Sequence, residues 1–160
     1  MRWHIAPGTL ASIYLAAMLS GCTPEQGQAV PITQLFTDAK LHGKHAAVTG
    51  TLGISTGIMG STSCKAGRCK LQLGVPDPGW KPPKDTVGTV TIEVSTGSGE
   101  NEMAELPEKY AKTDVKVKAM GGKVIAFGER VKVSGKLHCH GNNGEDRLPC
   151  SMSVDRIDTP

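Results

Sequence analysis

Long stretches of this chain alternate apolar and polar residues with a period of two, and that alternation limits the fold more than any other feature. Ala46, Val48, Gly50, Leu52 and Ile54 alternate with Ala47, Thr49, Thr51, Gly53 and Ser55. Cys69, Leu71, Leu73 and Val75 interleave with Lys70, Gln72 and Gly74, and Val90, Ile92 and Val94 with Thr89, Thr91 and Glu93. Val131, Val133, Gly135, Leu137 and Cys139 oppose Arg130, Lys132, Ser134, Lys136, His138 and His140. Cys150, Met152 and Val154 begin a last run. Side chains of a strand point alternately to its two faces, so each run is a strand with one apolar face. Gly50 marks a bend or bulge, and Ile157 falls one place out of step, which predicts a bulge in the last strand.

Between the runs the pattern changes. Pro31 stands where a helix would begin, Ile32, Leu35, Phe36 and Ala39 follow helical spacing, and Gly43 closes the segment. Pro76 to Asp85 is a Pro-rich loop carrying Trp80. Glu102 to Lys112 is expected to be a short helix, with Pro107 restarting it. Val115 and Val117 alternate with lysines, and Gly121-Gly122 offers a hairpin turn into Val124 to Phe127. Helix, three strands, short helix, then further strands is the element order of a five-stranded OB barrel with an added N-terminal helix. The segments Gly43-Lys44-His45-Ala46-Ala47-Val48-Thr49-Gly50 and Gly128-Glu129-Arg130-Val131-Lys132-Val133-Ser134-Gly135 resemble the first and fourth strands of bacterial exported OB-fold proteins and tRNA-anti-like domains. That resemblance implies a mainly β, OB-like domain over residues 31–160, and it carries no catalytic residue across.

The N-terminus has one positive charge, Arg2, then an apolar run from Ile5 to Leu19, too short for an ordinary membrane span. It ends Leu19-Ser20-Gly21-Cys22, which resembles the lipobox of bacterial lipoproteins. The resemblance implies a signal peptide over residues 1–21, acylation of Cys22 with palmitate-class chains, and an anchor and polar linker over 22–30. Thr23, rather than Asp, follows the cysteine, which in that family implies sorting to the outer membrane, facing the periplasm.

Of five cysteines, four remain once Cys22 is assigned to lipid. Four cysteines in an exported domain read as two disulfides, with three possible connectivities. Local pairing is preferred: Cys64 with Cys69 around Lys-Ala-Gly-Arg, and Cys139 with Cys150 around a polar segment. Closing loops this short contributes about 2 and about 3 kcal/mol in the chain-entropy picture.

Several function classes lack support. Eighteen basic against fifteen acidic residues, a formal charge of +3, is too little to point to nucleic acid. Aromatics beyond the signal are Phe36, Trp80, Tyr110 and Phe127, and Thr89, Thr91 and Glu93 stand where a base-stacking platform would be expected. No nucleic-acid partner is expected. Hydrolase and phosphate-loop motifs are absent. Glu100, Glu102, Glu105 and Glu108 precede Lys109, Lys112, Lys116, Lys118 and Lys123, a gradient read as solvated surface.

His138-Cys139-His140 has ligand types that suit zinc or copper, but a strand sends Cys139 to the opposite face. His138 and His140 alone could hold a metal, with His42 or His45 as a further ligand. Cys64 and Cys69 enclose four residues rather than two, so structural bonding is the stronger reading than thiol redox work. The reading reached from sequence is a non-enzymatic, lipid-anchored envelope module that binds a protein or another envelope component. Trp80 is its contact candidate, or else it folds back to cap the barrel. The alternative is a periplasmic metal-binding or thiol-redox accessory protein.

Overall fold

The computed structural model describes residues 23–54, 64–82, 88–107, 110–139 and 150–160. Its strands are β1 (Gln28–Ala29), β2 (His45–Gly53), β3 (Cys64–Lys65), β4 (Arg68–Gly74), β5 (Thr89–Thr96), β6 (Glu102–Met103), β7 (Lys116–Lys118), β8 (Val124–Ala126), β9 (Arg130–His138) and β10 (Ser151–Asp158). β2 pairs antiparallel with both β4 and β9, β4 antiparallel with β5, and β9 antiparallel with β10. A parallel pairing of β10 with β5 shuts the ring. The wall is thus a closed five-stranded barrel in the order β2-β4-β5-β10-β9, the OB arrangement.

The alternating residues fill it as their period requires. Val48, Leu71, Leu73, Val90, Val131 and Leu137 are all fully buried inside. The bulge expected in the last strand falls between Val154 and Arg156, where the register with β9 shifts and returns Ile157 to the interior. At Gly135 the wall is tight, because a β-carbon there would overlap the Ser153 carbonyl on β10.

Both mouths of the barrel are plugged, by different structures. The N-terminal mouth holds residues expected as a helix. They form instead two 3-10 turns, Ile32–Phe36 and Ala39–Leu41, which bury Ile32, Leu35, Phe36 and Leu41. Thr37 leaves helical geometry, and the Asp38 side chain accepts from the Lys40 N–H at 3.0 Å. Asp thereby starts a second turn rather than continuing the first, and runs this short take 3-10 geometry readily. The turns are joined to the wall by Cys150 N–H to the Leu35 carbonyl, 2.9 Å, and Gly43 N–H to the Leu137 carbonyl, 2.8 Å.

The hairpin mouth is closed by residues 97–107 and 110–128. Of the expected helix from Glu102 to Lys112, Glu108 and Lys109 lie outside the described residues, and the rest is not α-helical. Glu102–Met103 is strand β6, parallel to the end of β5 and antiparallel to β7, and Lys112–Asp114 is a 3-10 turn. Leu106 precedes Pro107, which disfavours the α region, and sheet pairing takes the free backbone of Glu102 and Met103. The expected β7–β8 hairpin is present, with Gly121 and Gly122 both at positive φ in its turn. Met103, Leu106, Val115, Val117, Ala119 and Ile125 are buried beneath it.

The expected linker is not free of the domain. Pro24 accepts a hydrogen bond from Arg156 at 2.9 Å, Gln28–Ala29 pair with Ala46–Ala47 of β2, and Val30 N–H donates to the Ala47 carbonyl at 2.9 Å. Residues 24–30 therefore cross the outer wall as a strap. Ala47 and its register partner Ser134 point outward yet are buried, since the strap's contacts at Ala46, Ala47 and Arg156 bracket them. Among the described residues no helix is long and apolar enough to cross a membrane.

Candidate functional site

The N-terminal mouth gathers most of the residues singled out from sequence. In the loop after β4, the Asp77 carboxylate accepts from the Gly79 N–H at 2.8 Å and its carbonyl from the Trp80 N–H at 3.2 Å. Asp side chains make such local turns readily, so this one sets where Trp80 points. Its indole packs on Phe36 with ring centroids 4.9 Å apart and planes inclined at 46°. Gly88, at positive φ, lies beside it, and a β-carbon there would stand in ordinary contact with Pro82 at 3.5 Å and with Trp80 at 3.6 Å.

Trp80 is nevertheless half-buried rather than enclosed. It lines an open cleft of about 330 Å³ with Thr33, Gln34, Thr37 and Lys81. The cleft offers an aromatic face, two hydroxyls, an amide and a cation. The fold-back geometry and the open edge are both present: Trp80 caps Phe36 and keeps a free flank. Phe36 was assigned to core packing on its spacing alone, and its pairing with a residue 44 positions away leaves no local signal in the sequence.

The same mouth holds His42 and His138. His138, half-buried at the end of β9, has Nε2 3.1 Å from the Ser153 hydroxyl. The His42 ring lies edge-on to it with centroids 6.5 Å apart, and His42 Nδ1 accepts from the Cys139 N–H at 3.1 Å. That bond fixes the tautomer: His42 carries any single ring proton on Nε2. His140 lies outside the described residues, as does Cys22. His45 is drawn aside, pairing with Asp155 at 2.9 Å on the exposed wall. Among the described residues no three His, Cys, Asp or Glu side chains converge on one point.

The cysteines pair locally, Cys64 with Cys69 and Cys139 with Cys150. Cys64 and Cys69 are direct register partners on β3 and β4, whereas Cys139 and Cys150 tie the end of β9 to the start of β10 at the N-terminal mouth. Neither pair is a thiol centre in this state.

On the outer face of β4 and β5, Glu93 lies 3.5 Å from Lys70 and 4.0 Å from Arg68, and Gln72 donates to the Thr91 hydroxyl at 3.3 Å. Exposed pairs of this kind contribute about 0–1 kcal/mol, and they bind both cations of the face to a carboxylate. Among the described residues the one displaced ionisation is that of Arg156. Hydrogen bonds to Asp158, the shortest at 2.9 Å, raise the pKa of its guanidinium, burial opposes them, and the Asp158 charge adds to the rise.

No protein-family model matches this chain, and no curated protein matches it. Among solved structures it is similar to a "putative aspartyl-tRNA synthetase from Leishmania major Friedlin", at 13% identity and a TM-score of 0.42. The likeness covers 89% of this chain and 22% of that one. The OB assignment stands on the strand pairing itself.

Proposed function

We propose that this chain is a non-catalytic OB-type module, held at the cell envelope by lipid on Cys22, that binds a protein or another envelope component through the Trp80 cleft. The observation that carries the reading is the plugging of both mouths. With the interior filled by side chains, recognition falls to the surface, and the Trp80 cleft joins an aromatic flank to the polar groups of the first 3-10 turn, with Trp80 set by the Asp77 turn. The disulfides accord with an oxidising compartment, and the signal accords with export.

The test has two arms. Cys22→Ala should release the protein from membranes or leave it unprocessed, and unchanged mass and fractionation in that variant would remove the anchor. A photo-crosslinking residue at Gln34 should give discrete adducts in cells that disappear with Trp80→Ala. Adducts that persist in that variant would move the contact elsewhere.

A second reading, a metal-binding accessory protein, draws on the approach of His42 and His138. Stoichiometric zinc or copper in protein purified without added metal, lost with His42→Ala/His138→Ala, would replace the first reading with this one.

A further inference from the structure

The polar groups around Trp80 are of a kind that narrows what the cleft can hold. Thr33, Gln34 and Thr37 turn outward because the first 3-10 turn commits Ile32, Leu35 and Phe36 to the barrel. The Thr37 N–H donates to the Gln34 carbonyl at 3.1 Å, a 3-10 bond that places these two residues in one row. Among the described residues, no hydrogen bond engages the hydroxyls of Thr33 and Thr37, the Gln34 amide or the Trp80 indole N–H. Hydroxyls and an amide each donate and accept, whereas the indole N–H only donates. A ligand rich in hydroxyls answers every one of these groups.

The charges here come close to cancelling. Lys81 is the cation of the cleft lining, and Lys40 follows on the next turn. Against them stand Asp77, whose carboxylate accepts from the Gly79 N–H at 2.8 Å, and Asp38, which accepts from the Lys40 N–H at 3.0 Å. A nucleobase would also stack on Trp80, but its phosphates need a basic groove, and two lysines beside two carboxylates do not make one. An extended peptide would pair its backbone with a strand edge. The cleft is lined by a turn and a loop, and no strand residue contributes to it.

The aromatic surface completes the set. Phe36 meets the indole at 46° rather than face to face, so part of the ring stays uncovered, and the Asp77 turn fixes its direction. The face of an aromatic ring is negative and attracts positively polarised hydrogens. A pyranose ring offers such hydrogens as C–H groups on its face, with hydroxyls around its rim. The cleft of about 330 Å³ is at the small end of ligand sites, and its open side lets a chain of rings run on beyond it.

We infer that the Trp80 cleft binds a neutral oligosaccharide, with one pyranose ring laid on the indole and its hydroxyls on Thr33, Gln34 and Thr37. This rests on the reading of the cleft as the contact site and gives that contact its chemistry. Because Phe36 and Asp77 hold the indole in place beforehand, binding orders little besides the sugar.

The test is saturation-transfer NMR on the full chain in detergent, with cellotetraose and chitotetraose as probes. Saturated protein should pass magnetisation to the ring C–H protons of at least one tetrasaccharide, most strongly on one ring face. Trp80→Ala should weaken binding about tenfold or more. Gln34→Ala and Thr37→Val alter exposed side chains, and each should weaken it about two- to tenfold at an unchanged melting temperature. Lys81→Met and raised salt should change it less than about twofold, because screening acts on charge and the ligand has none. No transfer to either sugar from a folded chain would overturn the inference. Binding that falls with Lys81→Met and with salt would also overturn it, by marking an anionic ligand. The crosslinking residue at Gln34 separates this failure from failure of the cleft. Trp80-dependent adducts with a protein, beside silent sugars, defeat the saccharide and keep the cleft. Sugar binding that survives Trp80→Ala, Gln34→Ala and Thr37→Val lies elsewhere and defeats both.

Discussion

The two mouths of this barrel are sealed by unlike means. At the N-terminal mouth, two 3-10 turns supply Leu35 and Phe36, the Trp80 loop covers them, and the Cys139–Cys150 bond lies alongside. At the hairpin mouth, β6 and the β7–β8 hairpin supply Val117 and Ile125, extending the wall rather than laying a separate element over it. A five-stranded barrel needs only apolar volume at each end, so the local structure that delivers it is free to vary. What differs is the surface left outside: an aromatic cleft at one mouth, and at the other the exposed Val124 flanked by Lys116 and Lys118, which have no carboxylate partner among the described residues.

The largest expected effects come from emptying each plug. Leu35→Ala and Ile125→Ala should each cost about 3–4 kcal/mol, read as a lower urea midpoint at unchanged slope. If the plugs are independent, the double variant should be additive to within about 0.5 kcal/mol. A larger coupling would mean that the mouths communicate through the core and are not separate seals.

The disulfides come next. Cys139→Ser/Cys150→Ser should lose about 3 kcal/mol and Cys64→Ser/Cys69→Ser about 2 kcal/mol. Limited proteolysis sharpens the contrast: the first pair should open the N-terminal mouth and leave β7–β8 intact, and the second should loosen β3 alone. Cleavage at the hairpin in the first variant would break the division of labour. Trp80→Ala follows at about 1–2 kcal/mol, since the residue is only partly buried and its ring packs on Phe36.

The wall and the β7–β8 hairpin were legible in the sequence, and the 3-10 turns of the N-terminal mouth and strand β6 were not. Period-two runs around Val48, Leu71, Ile92 and Val133 specify strand, buried face and even the bulge before Ile157, because one face of each must meet the core. Local cystine pairing was legible for a similar reason, as both bonds close short loops. Residues 31–43 have helical spacing, but spacing marks only the buried stripe. It does not tell that Asp38 captures the Lys40 N–H and splits the segment. Glu102–Met103 became strand through partners at Ser95 and Val117, which no local pattern announces. Asn101, at positive φ and bonded to both β10 and β7, was passed over for the same reason. The strap was hidden by its polar composition, and its docking depends on Arg156, far along the chain.

The smallest effect tests the strap that runs between the two mouths. Ser134 is fully buried, and its hydroxyl has no hydrogen-bond partner among the described residues. A buried hydroxyl left unpaired costs about 1–3 kcal/mol, and alanine removes it while keeping the β-carbon that fills the space. Ser134→Ala should therefore be neutral or stabilising by up to about 1 kcal/mol, with the strap as resistant to proteolysis as before. The outward position beneath residues 24–30 is then a matter of volume, and Arg156 with the Ala47 backbone carries the polar contacts of the strap. Destabilisation by more than about 1 kcal/mol would show that the hydroxyl is bonded in solution. It would also make the strap an integral part of the wall, and the two mouths would then be joined by a polar contact rather than by chain alone.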